Sequence, residues 1–158
     1  MTDGDTRITM PSDLEIVITR TFNAPRRLVF EAWPKREHVK QWYGLKSVMM
    51  TVCEIDLRVG GKWRYVLRSP DGGEHGFSGE YKEVTPPERL VYSEGYEAMP
   101  GHDYLVIVTF DEVDGKTILT SRILYKTKED RDGHVASGME PGMRETLERL
   151  EEYLTTLV

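Results

Sequence analysis

The sequence is poor in the residues and patterns by which reactive sites are usually recognised. Its 158 residues include one cysteine and four histidines, and no segment approaches the run of about 20 apolar residues that a membrane-spanning helix needs. The single Cys53 has no partner for an internal disulfide, and the sequence does not open with a basic segment followed by an apolar one. We therefore expect a soluble protein of the reducing cytoplasm, in which Cys53 is a small buried hydrophobic residue.

Recognisable catalytic and metal-binding motifs are also missing. His38, His75, His102 and His134 fall in four different predicted elements without a pair at metal-ligand spacing, and HExxH, CxxC and EF-hand patterns do not occur. The sequence has no GxSxG nucleophile motif, and Gly60–Lys62 lacks the rest of a phosphate-binding loop, so we interpret it as a hairpin turn. We expect neither a metal nor another cofactor.

Charge is unevenly distributed along the chain. Residues 13–82 hold 12 Lys or Arg and 9 Asp or Glu, whereas residues 83–158 hold 8 and 16, within a net charge of −6. A nucleic-acid groove needs clustered cations that replace the counterions of the phosphates, and an acidic second half does not supply them. We therefore expect no nucleic-acid partner.

What the sequence does contain is a regular succession of strand and helix patterns. Leu14–Phe22 is rich in β-branched residues and predicts a strand, and the apolar spacing that follows predicts short helices over 25–33 and 36–42. Six further strands come next, mostly joined by tight turns, which favours an antiparallel sheet. These six are predicted at 46–58, at 62–68, on the two sides of the double proline within 79–92, at 104–110 and at 117–125.

The last segment changes to a helical period. From Met139 to Leu154, apolar residues recur every three or four positions, which places them on one stripe of a helix that must pack across the sheet. Pro141 would be unfavourable inside this helix, because proline removes one hydrogen bond and clashes with the preceding turn. Either the regular helix begins near Pro141, or an earlier turn from about Asp130 joins it through a kink.

Large aromatic and methionine side chains are more numerous than a tight small core needs. Together they suit a pocket for a small hydrophobic or amphipathic molecule, with polar contacts from tyrosine hydroxyls, indole N–H groups and either His75 or Arg122. The predicted cavity residues are Trp33, Trp42, Trp63, Tyr65, Phe77, Tyr81, Tyr96, Tyr104, Met139 and Met143.

Five segments of the sequence resemble a known family. They read TRTFNAPRRLVFEAW (19–33), QWYG (41–44), DLRVGGKWRY (56–65), GEYKEVTPPERLVY (79–92) and SGMEPGMRETLERLEEYL (137–154). Through them the chain resembles the AHSA1-like branch, named for the activator of Hsp90 ATPase homologue, of the SRPBCC superfamily, also called START or Bet v 1-like. The resemblance covers a single domain at 13–158, and we interpret the polar residues 1–12 as a flexible tail.

The resemblance implies an α+β helix-grip fold. In that fold a curved antiparallel seven-stranded sheet wraps around a long C-terminal helix, and two short helices follow the first strand. It also implies an elongated cavity between sheet and helix for a lipid, polyketide or aromatic compound. Trp42 matches the branch's tryptophan after the second helix, and Met139 and Met143 match its helix residues that face the cavity. Pro141 departs from the branch, where a helix-forming residue is more usual, so the start of the last helix stays open.

Three functions compete at this point. We favour noncatalytic binding of a small hydrophobic or amphipathic molecule, because a cavity is implied and no catalytic constellation is visible. The alternative is a cyclase-like or hydrolytic enzyme of the same superfamily, with acid–base groups among His75, Glu80, Tyr81 and His102. A co-chaperone acting on Hsp90 ranks last, because the larger eukaryotic activator uses an additional N-terminal domain for which we expect no room here. The sequence does not decide on homodimerisation.

Overall fold

The fold was examined in a computed structural model that describes residues 6–157. The described residues form eight strands and four helices. The strands are β1 (Arg7–Thr9), β2 (Glu15–Phe22), β3 (Met49–Ile55), β4 (Lys62–Arg68), β5 (Glu74–Thr85), β6 (Arg89–Tyr96), β7 (Tyr104–Val113) and β8 (Lys116–Leu124). The helices are α1 (Arg26–Ala32), α2 (Arg36–Trp42), α3 (Lys128–Ala136) and α4 (Met139–Leu154).

The eight strands form one antiparallel sheet in the order β1-β2-β8-β7-β6-β5-β4-β3. Most neighbours are consecutive in sequence, whereas β2 pairs with β8 through the register Glu15↔Leu124 to Phe22↔Thr117. The pairing shifts register between Met50 and Val52 and between Tyr81 and Glu83. Such bulges bend a strand and increase its twist, which favours the curvature of a sheet around a helix.

The core lies between the inner face of the sheet and helix α4. Along β2 the burial alternates strictly, so that Ile16 and Ile18 are fully covered while their neighbours are not. Leu147, Leu150 and Leu154 of α4 join the same apolar cluster. Burying each such side chain stabilises the fold by about 1.5–3 kcal/mol, so the helix that the periodicity predicted is fixed by the sheet. The α+β helix-grip prediction is confirmed.

Pro141 lies in the first turn of α4. Helix α3 ends at Ala136, and the chain reverses at Gly138, whose φ of +87° is in the left-handed region. Helix α4 then begins at Met139, which makes Pro141 its third residue. Backbone N–H groups of a first turn have no intrahelical acceptor, so proline removes no bond there. Of the two alternatives, the structure shows a helix beginning near Pro141 and a separate helix before it.

The sheet has one strand more than the seven predicted. Strand β1 lies within residues 1–12 and pairs with β2, with Ile8 opposite Ile18, so Arg7–Thr9 belongs to the sheet edge. Residues 1–5, the first part of the predicted tail, lie outside the described residues. The hairpin predicted at Gly60 and Gly61 is also longer than expected, because β3 ends at Ile55 and β4 begins at Lys62.

None of the helices within residues 6–157 combines the length and apolar character required to cross a membrane.

Candidate binding site

Two adjacent spaces lie on the inner side of the sheet. The inner cavity, of about 70 Å³, is enclosed by the sheet, α4 and the aromatic residues of the α1–α2 region, with Met143, Thr146 and Leu147 contributed by α4. The outer pocket, of about 710 Å³, lies beneath α3 and the start of α4, near the ends of β5, β6 and β7. Ligand pockets commonly measure about 300–1,000 Å³, so the outer pocket has the volume for a small molecule and the inner cavity only for a small chemical group.

All ten predicted cavity residues line one of these two spaces. Tertiary structure divides them, however, between two compartments and does not gather them around one elongated cavity. The inner cavity receives Trp33, Trp42, Trp63, Tyr65, Tyr81 and Met143. The outer pocket receives Phe77, Tyr96, Tyr104 and Met139.

The wall of the inner cavity is a continuous aromatic cluster. The ring centroids of Trp33 and Trp42 lie 4.8 Å apart, those of Tyr43 and Tyr65 also 4.8 Å, and those of Trp63 and Tyr65 4.7 Å. These tilted and edge-on arrangements are the favourable ones for aromatic pairs, and each pair adds about 0.5–1.5 kcal/mol to the burial of its area. The cluster is therefore a rigid wall.

The indole N–H groups of this wall are already hydrogen-bonded to the protein. Trp42 Nε1 donates to the carbonyl oxygen of Ala32 at 2.9 Å, and Trp63 Nε1 donates to that of Ser93 at 3.2 Å. Trp33 Nε1 donates to the hydroxyl of Tyr92 at 3.4 Å. The expectation that indole N–H groups serve as ligand contacts is therefore not supported by this geometry.

Glu94 is the functional candidate that sequence reasoning missed. It follows Leu90 and Tyr92 at alternating positions of β6 and lines the inner cavity with them. The Tyr43 hydroxyl donates to Glu94 Oε2 at 3.2 Å, and Tyr104 lies opposite Glu94 across β7 and β6. Burial raises the pKa of Glu94 to about 7, although the phenols of Tyr43 and Tyr104 partly offset this effect. The sequence did contain a signal for it, because Glu94 is a single acid at an inward-facing position of an apolar strand.

The phenols around Glu94 remain neutral over the physiological range. Burial raises the pKa values of Tyr43, Tyr65, Tyr92 and Tyr104 above that of a free phenol, and the nearby Glu94 adds to the increase in each. Among the described residues that line the inner cavity, the Glu94 carboxyl group is therefore the only one that titrates near neutral pH.

Three histidines line the outer pocket. His75 Nδ1 lies 2.8 Å from the Tyr96 hydroxyl, and His102 Nδ1 lies 2.7 Å from Asp130 Oδ1. His134 Nδ1 lies 2.5 Å from the Tyr125 hydroxyl, and burial lowers the pKa of this imidazole, which favours its neutral form. Within residues 6–157, no group of three or more His, Cys, Asp or Glu side chains is arranged to hold a metal ion.

Three other residues considered from the sequence lie outside both spaces. Glu80 forms ion pairs with Lys62 at 3.7 Å and Lys82 at 3.6 Å, and Arg122 forms one with Glu15 at 2.7 Å. Cys53 is buried in the core, as predicted. Of the proposed acid–base residues, His75 and His102 line the outer pocket and Tyr81 lines the inner cavity, so the four do not converge.

Comparison with known proteins agrees with this architecture. The family described as "Activator of Hsp90 ATPase homolog 1-like protein" matches residues 23–155. A crystal structure from Rhodobacter sphaeroides is similar with 28% identity and a TM-score of 0.90, over 98% of this chain and 100% of that one. A solution structure from Staphylococcus epidermidis shares 30% identity with a TM-score of 0.81, over 96% and 94% of the two chains. No curated protein matches the chain significantly.

The fold and the match define the class of protein. An antiparallel sheet around a C-terminal helix, with two small helices after the first long strand, is the helix-grip architecture of the SRPBCC superfamily. Within that superfamily the chain belongs to the family of activator of Hsp90 ATPase homolog 1-like proteins.

Proposed function

We propose that this protein binds a small amphipathic molecule without converting it. The observation that carries the proposal is the pairing of an outer pocket of about 710 Å³ with an inner cavity that holds a carboxylate. Phe77, Tyr96, Met99 and Met139 give the outer pocket an apolar surface, and the flexible methionine side chains adapt to ligands of different shape. A few polar groups beside such a surface fix the orientation of a ligand.

A cavity-filling substitution tests whether the outer pocket is the binding site. Gly133 of α3 lines that pocket, and a Cβ atom built on it meets nothing within 4 Å. Gly133→Phe therefore places a ring in or over the pocket, and phenylalanine has a higher helix propensity than glycine. The neutral fluorescent probe N-phenyl-1-naphthylamine should bind the wild-type protein and bind Gly133→Phe at least about tenfold more weakly, a difference of about 1.4 kcal/mol.

Lys128→Phe provides the matched control, because Lys128 is an exposed residue of the same helix outside the pocket lining. It should leave probe affinity unchanged. Equal binding by the wild-type protein and both variants would contradict the proposed site. Native mass spectrometry of freshly purified protein would also measure the mass of any co-purifying molecule. The same spectrum would show whether the chain is a monomer or a homodimer.

A second candidate function, an acid–base enzyme, is favoured by one observation. A carboxyl group with a pKa of about 7 is suited to exchange protons near neutral pH, and Glu94 is such a group. If a co-purifying molecule is identified, incubation with the wild-type protein and Glu94→Gln distinguishes the two functions. Conversion by the wild-type protein alone supports the enzyme, and an unchanged ligand bound by the wild-type protein supports the binder.

The family name includes Hsp90, and a pull-down with Hsp90 tests that partner directly.

A further inference from the structure

The charged residues that line the two spaces are of one sign. Among residues 6–157, Glu94 is the only charged side chain that lines the inner cavity, and Glu129 and Asp130 line the outer pocket. No lysine or arginine of this described part lines either space, and the cationic candidates of the outer pocket are the three histidines. His134 is held toward its neutral form by burial, and His102 is paired with Asp130. A carboxylate-bearing ligand would therefore meet acids and no permanent cation.

The carboxylate of Glu94 retains unused acceptor capacity. An ionised carboxylate has about four acceptor positions on its two oxygens, and the Tyr43 hydroxyl occupies one of them. The three indole N–H groups of the wall donate elsewhere, so they do not supply the remaining partners. A ligand that carries hydrogen-bond donors fits this arrangement, and one that carries only acceptors does not.

The aromatic wall adds a preference for positive charge. The inner cavity is lined by Trp33, Trp42, Tyr43, Trp63, Tyr65, Tyr81 and Tyr92. The electron-rich ring faces of tryptophan and tyrosine attract cations within about 6 Å, and the attraction is strongest where water is excluded. Aromatic rings around a single carboxylate are the chemical pattern that recognises ammonium groups.

We propose that the inner cavity takes the protonated amino group of an amphipathic amine, with its N–H groups on Glu94 and its apolar body in the outer pocket. The inference deepens the proposed function and rests on it. Tyr104 lies between the two parts, since it lines the outer pocket and stands opposite Glu94 across β7 and β6. The cavity volume of about 70 Å³ suits a small head group and excludes the body of a lipid or aromatic compound.

Three probes with one apolar body test the preference. We would compare 4-phenylbutylamine, 4-phenylbutan-1-ol and 4-phenylbutanoate by isothermal titration calorimetry at pH 8. The wild-type protein should bind the amine at least about tenfold more tightly than the alcohol and bind the carboxylate most weakly. Glu94→Gln should bring the amine and the alcohol to within about twofold of each other. Glu80→Gln removes the same charge from a surface ion pair outside both spaces and should leave the preference intact.

A pH series on the wild-type protein gives a second readout that needs no variant. The amine should lose affinity relative to the alcohol as the pH falls below about 7 and Glu94 takes up a proton. Around Glu94 the titratable neighbours are Tyr43 after α2, Tyr65 of β4, Tyr92 of β6, Tyr104 of β7 and Tyr125 after β8, whose raised pKa values keep them neutral throughout. The residues that α4 contributes to the cavity do not titrate.

The outcomes separate this inference from the proposed function. Equal affinity for amine and alcohol in the wild-type protein, or tighter binding of the carboxylate, overturns the amine preference. If N-phenyl-1-naphthylamine still binds and is blocked by Gly133→Phe, the proposed function survives that result. If neither the three probes nor N-phenyl-1-naphthylamine binds, both are overturned.

Discussion

Tyr104 and Glu94 lie directly opposite each other on β7 and β6, and the phenol stabilises the ionised form of the carboxylate. Opposed residues of an antiparallel pair point to the same face, so both side chains enter the space under α4. Tyr104 lines the outer pocket and Glu94 the inner cavity, which makes this pair the boundary between them. A hydrophobic residue at position 94 would give a simpler core, so this half-buried acid is the feature that most needs a function.

The first prediction concerns stability and pH. The unfolded carboxyl group titrates near pH 4.3, and the folded one near pH 7 because of burial. The folded state therefore binds the proton more tightly, and stability should fall as the pH rises from about 4.5 to 7, by roughly 3–4 kcal/mol in total. Urea unfolding of the wild-type protein and Glu94→Gln at pH 5 and pH 8 measures this contribution as the difference between the two proteins.

The comparison between the wild-type protein and Glu94→Gln is needed because His134 changes the stability in the opposite direction with pH. Burial lowers the pKa of its imidazole, so it contributes stability that is lost as the pH falls through the range near 6.5. Both proteins retain His134, and subtraction removes its effect. Parallel stability curves for the wild-type protein and Glu94→Gln would contradict a raised pKa at Glu94.

The second prediction concerns the effect of the Tyr104 phenol on the pKa of Glu94. The Tyr104 hydroxyl stabilises the ionised carboxylate, so Tyr104→Phe should raise the pKa of Glu94 above its wild-type value of about 7. Carbon-detected NMR of the Glu94 carboxyl group across a pH titration measures the shift. Tyr153→Phe is the control, because it removes a tyrosine hydroxyl that lies 2.5 Å from His38 Nδ1 and not beside Glu94. The pKa of Glu94 should be unchanged in this variant.

The third prediction uses two glycines at the α3–α4 junction. A Cβ atom at either Gly133 or Gly138 meets nothing within 4 Å, so the two positions differ in backbone conformation and not in space. Gly138 has a φ of +87°, and Gly138→Ala should destabilise the protein by about 1–2 kcal/mol. Gly133 lies inside α3, and Gly133→Ala should stabilise it by about 0.5–1 kcal/mol. Thermal unfolding of both variants measures the direction of each stability change. If both variants were stabilised or both destabilised, the left-handed conformation of Gly138 between α3 and α4 would be contradicted.

The fourth prediction concerns the sheet edge. Arg20 is 4% exposed, and its Nη1 donates to the Thr6 hydroxyl at 2.7 Å, while the Arg144 side chain donates to the Thr6 carbonyl oxygen. Deleting residues 1–9 removes β1 and this acceptor, and a buried charged donor left without its partner costs about 1–3 kcal/mol. Urea unfolding should show a loss of at least about 2 kcal/mol relative to a chain lacking only residues 1–5. Equal stability of the two chains would refute the role of β1.

Much of the fold was predictable because it depends on local pattern. The helix at Arg36–Trp42 and the strand at Lys62–Arg68 appear with the predicted bounds, since apolar periodicity reports which side of an element is covered. Strand β1 was missed because three residues are too few for a periodic signal, and they gain their structure by pairing with β2. Pro141 could not be assigned from sequence, because its tolerance depends on where Gly138 ends the preceding turn.

The candidate site, like the fold, could be predicted from the sequence only in part. The sequence by itself determined that aromatic and methionine side chains would line a space between sheet and helix, because residue type and parity decide which side chains turn inward. Only the tertiary structure decided that these residues form two compartments, that Tyr43 and Tyr104 lie beside Glu94, and that no lysine or arginine of the described residues joins them. In the sequence, Glu94 differs from the other acids only by its place on the inward-facing side of its strand. Its raised pKa arises from burial and from phenols brought by other elements, and such long-range proximity leaves no periodic trace in the chain.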